Sequence, residues 1–341
     1  MSTPDSLLHE VNSCVNELGF RIDRRIIAFE VQPEVTEKEI VLKGFVHVPK
    51  QEVALLNNLA ELPSVMKKKI PVRSRLKVLM RKPRRFFQVS VPFGNLRKEP
   101  RAGSELGTDV LFGCYVAGYF TKGNYWYGSD PTGYLGYIHK DQVVEKSPGE
   151  YLAWLNGRRG RFLKNFRLNG HYFPLGAEFG CVEDKCILLP SGKTLRLENG
   201  AFLSYKPGEG KEIDEILERA HTFLGAPYLW GGNTDKGIDC SGFCQMLYLL
   251  RNVALPRDSS QQVGYGRQVG VLGDFSDLLP GDLLFFMGRQ NRIIHVALYL
   301  GGKRFIHASK KEGITISHIE DPDFAGGSFR DAYVFGRRIF F

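Results

Sequence analysis

Between residues 86 and 207 the chain is cut every few residues by Gly, Pro, Asn or Asp into short apolar runs. That texture suits small antiparallel sheets and leaves no room there for long helices. The runs at 88–92, 109–113, 124–127 and 133–138 predict one β-barrel over 83–148. Weaker runs at 161–163, 186–189 and 193–197 predict a second over 149–208, closed by the linker 206–211. The flanks read differently. Residues 5–18 repeat apolar positions at helical spacing (Leu7, Leu8, Val11, Cys14, Val15, Leu18) and stop at Gly19. Strand patterns follow at 25–31 and 39–46 and a helix at 51–62, so 1–82 is expected to be a small α/β domain. The remainder, 209–341, forms a fourth unit. A chain of 341 residues has room for all four.

The start of the chain carries neither a basic nor an apolar leader segment, which predicts a cytoplasmic protein. No run reaches the ~18 apolar residues of a membrane helix. Six cysteines are scattered rather than clustered, which fits a reducing compartment, and Cys181 and Cys186 have no second ligand pair nearby, so no metal site is expected. The formal charge is +9, yet twelve basic residues and no acidic one fall between Glu61 and Glu99, leaving −3 for the rest. Such runs usually form a solvated face, and no nucleic-acid partner is expected. Ser191-Gly192-Lys193-Thr194 lacks the earlier glycine of a phosphate loop.

The chemistry concentrates after a helical pattern at 213–224. Glycines at 231, 232 and 237 make a tight loop, and beyond it Cys240, Phe243, Cys244, Leu247 and Leu250 share one helical face. Asp239 is a natural N-cap, so Cys240 falls in the first turn, where free N–H groups and the helix dipole are expected to ease loss of the thiol proton. Cys244, one turn deeper, reads as a small buried hydrophobe. Two strand patterns, 292–299 and 304–309, carry His295 and His307 around Gly301-Gly302. A three-residue loop centred on 301 pairs the two histidines on one face; a two-residue Gly-Gly loop pairs His295 with Ala308 and turns His307 away. On a shared face, one ring can serve as base for Cys240 while the other orients it.

The blocks 228–243, 255–261 (Leu-Pro-Arg-Asp-Ser-Ser-Gln) and 279–286 (Leu-Pro-Gly-Asp-Leu-Leu-Phe-Phe), with His295 and His307, resemble the NlpC/P60 cysteine peptidases over about 209–341. The first barrel resembles a bacterial SH3 domain in Asn95-Leu96-Arg97 and Gly133-Tyr134-Leu135-Gly136-Tyr137, with Tyr137 where that family has tryptophan. The resemblance implies a papain-like α+β catalytic domain preceded by two SH3-like barrels and the α/β domain. It implies Cys240 as nucleophile, His295 as base and His307 as orienting residue, with no cofactor. Substrate contacts carry over to Tyr228, Asp239, Ser241 and Ser259, with Asp239 receiving a free amino group. Glu99 and Tyr134 are the matches for the residues that the first barrel contributes. The implied substrate is a murein peptide, L-Ala-γ-D-Glu-diamino acid, cut after γ-D-Glu in cell-wall recycling. The competing reading is a wall- or glycan-binding protein with a non-catalytic domain.

Overall fold

The computed structural model describes residues 4–81, 84–168, 170–183, 186–197, 202–205, 214–322 and 324–339. The linker expected at 206–211 lies outside them. At the N-terminal end, helix Pro4–Phe20 and helix Pro49–Ala60 cover a four-stranded sheet. Strands Phe29–Val35 and Ile40–Val46 pair antiparallel, while Val72–Ser74 and Lys77–Val78 join the second in parallel. Leu7, Val11 and Val15 of the first helix and Leu55 and Leu59 of the second fill the core against Ile40, Leu42 and Val46. Each such side chain contributes about 1.5–3 kcal/mol by leaving water. The strand expected at 25–31 starts only at Phe29. Residues 23–27 instead form a turn in which the N–H groups of Ile26 and Ile27 donate to the Asp23 carbonyl.

Residues 85–146 form one seven-stranded antiparallel sheet. From one edge its order is Val143–Lys146, Arg85–Val89, Tyr115–Lys122, Tyr125–Ser129, Leu135–His139, Phe93–Arg97 and Leu106–Leu111. The next unit does not open on a strand as its texture suggests. Ser147-Pro148-Gly149-Glu150 is a capping box, and helix Pro148–Asn156 follows it. A five-stranded sheet and a short hairpin come next, with Phe162, Phe173 and Phe179 packed around Phe112 from the turn that follows strand Leu106–Leu111.

The C-terminal unit sets helix Cys240–Leu249 against a six-stranded antiparallel sheet. The sheet runs in the order Arg267–Val269, Tyr333–Arg338, Leu283–Met287, Ile293–Gly301, Arg304–Ser309, Gly313–His318. Phe243, Cys244 and Leu247 meet Phe285, Val296, Leu298 and Ile306 in a cluster that also takes in Phe87, Val89, Leu96 and Val110 of the seven-stranded sheet. The cysteine helix is therefore packed in one core with both sheets. Among the described residues no helix is long and apolar enough to cross a membrane.

Candidate active site

The chain reaches Cys240 through one close approach and a tight fold-back. Gly231 has φ +81°, and a Cβ there would lie 2.4 Å from the Leu106 carbonyl oxygen, so the loop can press against the seven-stranded sheet only with glycine. Strands Asn233–Thr234 and Gly237–Ile238 then fold back, and Asp239 caps the helix by accepting from the Gly242 N–H at 2.7 Å. Cys240 becomes the first helical residue, as its spacing predicts, and it is buried. Burial and neighbouring Asp239 push its thiol up to about 12, against the smaller lowering by the Val296 and Ser241 N–H groups and by Arg257. In place of the eased deprotonation expected at a helix start, burial and Asp239 outweigh the hydrogen bonds and the Arg257 charge that favour the thiolate.

The hairpin carrying the histidines adopts neither register drawn from the sequence. Leu298 faces Ile306 and Tyr299 faces Phe305, with a bulge before Gly301 pairs Arg304. The turn residues are Gly302 and Lys303, with φ +59° and +61°, the two positive values of a type I′ turn. The Gly-Gly loop is displaced by one residue, and the bulge restores the parity. Continuing the register sets His307 opposite Ala297, so His295 is its diagonal neighbour on the same face. The rings stand at 90° with centroids 4.9 Å apart, and His295 Nε2 lies 2.9 Å from His307 Nδ1. His307 Nε2 lies 3.1 Å from Ser317 Oγ on the next strand, a partner sequence reasoning did not anticipate.

Burial holds both imidazoles neutral. It depresses His295 well below the ordinary range, with His307 and Lys310 adding to the effect, and it takes His307 down to about 4 against an opposing pull from Asp321. This arrangement can pass a proton in one direction. With His295 Nε2–H donating to His307 Nδ1, and His307 Nε2–H donating to Ser317, the His295 Nδ1 is left as the acceptor.

Asp239 sits at the centre of a saturated network. Its Oδ1 accepts from Gly242 N–H, Ser241 Oγ and Arg257 Nη1, and its Oδ2 from Gly231 N–H at 2.8 Å and Arg257 Nη2 at 2.6 Å. Arg257 is 1% exposed and also donates to Thr108 Oγ1 of the seven-stranded sheet. The expectation that Asp239 receives a substrate amine is corrected by this geometry, because five donors, two of them from the buried Arg257 guanidinium, already satisfy it. Its role is to fix the start of the helix.

A cavity of about 690 Å³ opens over these groups. Of the residues named from sequence, Cys240, His295, His307, Tyr228, Asp239, Ser241, Ser259 and Tyr134 all line it. Burial, with Cys240 and Asp239 nearby, raises the Tyr228 phenol above its usual range. Glu99 does not line the cavity. It lies on an exposed turn, where it pairs with Arg101 at 2.7 Å. The acid from this sheet that does line the cavity is Glu105, which accepts from Lys98 and from Trp230 Nε1 and is lowered chiefly by the Lys98 hydrogen bond. Arg25 and Asp258 also line the wall; Asp258 sits inside the 255–261 block without being expected there as a substrate contact, and no motif surrounds Arg25. Among the described residues no three His, Cys, Asp or Glu side chains gather as a metal site.

A thiol at a helix start and a histidine pair on the antiparallel sheet that the helix packs against, all lining one cavity, define an α+β thiol–imidazole class of site. Comparison with known proteins places it further. The NlpC/P60 family profile matches residues 225–328. The chain is 37% identical over 125 residues to a probable endopeptidase of Haemophilus influenzae, covering 35% of this chain and 75% of that protein. It is 31% identical over 202 residues, 53% of its length, to the γ-D-glutamyl-L-lysine dipeptidyl-peptidase of Bacillus subtilis. That alignment spans 62% of the relative. A crystal structure of an NlpC/P60 family protein from Bacillus cereus shares the fold, with TM-score 0.65 at 22% identity over 74% of this chain and 99% of that one. The chain belongs to the NlpC/P60 family.

Proposed function

We propose that the protein is a cysteine peptidase that hydrolyses the γ-D-glutamyl–diamino acid bond of cell-wall peptides bearing a free N-terminal L-Ala, releasing L-Ala-γ-D-Glu. The observation that carries this reading is the joint presence of Cys240 and the His295–His307 pair on one cavity wall, the pair held at 2.9 Å. The cavity also has room and chemistry for a short zwitterionic peptide, with carboxylates at Glu105 and Asp258 and hydroxyls at Tyr228, Ser241 and Ser259. The activity named for the Bacillus subtilis relative, γ-D-glutamyl-L-lysine dipeptidyl-peptidase, agrees with it.

In this mechanism Cys240 gives its proton to His295 Nδ1 as the sulfur attacks the γ-carbonyl carbon. General-base assistance is needed because the resting thiol is protonated. The oxyanion is stabilised by the Cys240 N–H at the helix start. His295 then hands the proton to the departing amine, the C–N bond breaks and a thioester remains. Water, losing a proton to His295, adds to the thioester; the C–S bond breaks and the sulfur takes the proton back. His307 and Ser317 keep His295 in the tautomer that both steps need.

Purified protein is expected to release L-Ala-γ-D-Glu from L-Ala-γ-D-Glu-diaminopimelate, read by mass spectrometry, and Cys240→Ala to abolish release. Cleavage by the Cys240→Ala protein, or none by the wild type, would overturn the proposal. A role in recycling wall peptides inside the cytoplasm belongs to the same proposal.

A further inference from the structure

The α/β domain at the N-terminal end lies outside the family match, yet it supplies a side chain to the cavity. The turn at 23–27 projects Arg25 into the wall beside Tyr134, Asp258 and Ser259. Its guanidinium is held on every side. Nε and Nη2 donate to the two oxygens of Asp23 at 2.7 and 2.8 Å, and Nη1 donates to Asp258 Oδ2 at 2.8 Å and to Ser260 Oγ at 3.0 Å. Asp23 is braced in turn by Gln261 Nε2 at 2.8 Å. The Arg25 carbonyl accepts from the Leu135 N–H, which ties the turn to the seven-stranded sheet.

The ion pair is not needed simply to hold the domain in place. Ala28, Phe45 and Leu79 already pack against Tyr127, Leu135 and Tyr137 in a shared apolar cluster. What Arg25 does is specific to Asp258. That carboxylate is mostly buried and has Asp239 nearby, and both raise the cost of its charge. Arg257 favours the charge, but its guanidinium is already committed to Asp239. Arg25 is the cation bonded directly to Asp258. A locked guanidinium fixes the carboxylate's rotamer and keeps it anionic, which is what a site for a substrate ammonium requires.

We infer that Arg25 is a positioning residue for the substrate's free amino group: it orients and charges Asp258 from a separate domain, so that recognition of the N-terminus depends on residues outside the catalytic unit. This rests on the peptidase reading above. Cleavage of the free tripeptide by wild type is therefore measured first, and its failure would sink that reading and the inference together.

With wild type active, Arg25→Ala is expected to raise KM for L-Ala-γ-D-Glu-diaminopimelate about tenfold while kcat stays within about twofold, the loss of one charged contact. Hydrolysis of the N-acetylated peptide should not change further, so the preference for a free amine collapses. Arg25→Lys, which keeps charge but not the fork, should recover part of the loss. Asp23→Asn, which keeps Arg25 in the sequence but weakens the two-point clamp on its guanidinium, should raise KM in the same direction. An unchanged KM in both Arg25→Ala and Asp23→Asn, or equal losses on free and acetylated peptide, would overturn the inference while leaving the peptidase reading intact.

Discussion

His295 and His307 are both kept neutral by burial, and that choice has a direction in pH. An unfolded histidine binds its proton near pH 6.5, whereas His307 in the fold does so only near 4 and His295 well below its usual range. Between those values the unfolded chain holds more protons than the folded one, so stability falls as pH drops from about 6.5 toward 4. Urea unfolding midpoints should fall between pH 7.5 and 5, and His307→Gln, which cannot titrate, should flatten the slope. Under the proposed mechanism the same neutrality keeps His295 available as base in mild acid, so the acid limb of kcat/KM should lie below the ordinary histidine value of about 6.5. A limb at or above 6.5 would contradict it. Cys240 was legible in the sequence because Asp239 and the glycines around it mark a helix start. The protonated state of its thiol was not, because desolvation depends on what the fold stacks above it.

Helix Cys240–Leu249 depends on a charge pair that local pattern cannot reveal. Asp239 is recognisable as a cap, but Arg257 lies 18 positions on and becomes its partner only when the chain returns. Removing one member of a buried pair leaves the other uncompensated, at about 3–5 kcal/mol. Asp239→Asn should therefore lower the chemical unfolding free energy by a few kcal/mol, more than the ~1 kcal/mol of a lost cap. A loss near the cap value alone, measured in urea, would show that Arg257 finds another partner. The histidine hairpin teaches the same lesson about strands. Its parity could be argued from the sequence, but its register could not, because one extra residue before Gly301 moves every pair.

At the scale of the whole molecule, the α/β N-terminal unit, the β texture of the middle and the cysteine helix followed a pattern visible in the residues. The opening helix Pro148–Asn156 and the place of Arg25 did not. The first hangs on a capping box inside a β-rich stretch, and the second on a turn whose partners Asp258, Ser260 and Gln261 are more than 200 positions away. The twelve basic residues before Glu99 read as a free patch in one dimension, yet Arg73, Arg81, Arg85 and Lys98 each find a carboxylate in three. The largest consequence belongs to Tyr333–Arg338, which lies inside the six-stranded sheet beside Leu283–Met287 rather than at its edge. On the ribosome, Cys240, His295 and His307 are all made well before this strand can take its place. A nascent chain thus carries every group of the proposed reaction before the sheet that holds them is complete. A stop codon at Tyr333 should give a product without peptidase activity that fails to unfold cooperatively in calorimetry, and a soluble, active truncation would refute that. Chain order delays the proposed chemistry until synthesis has passed the point of assembly.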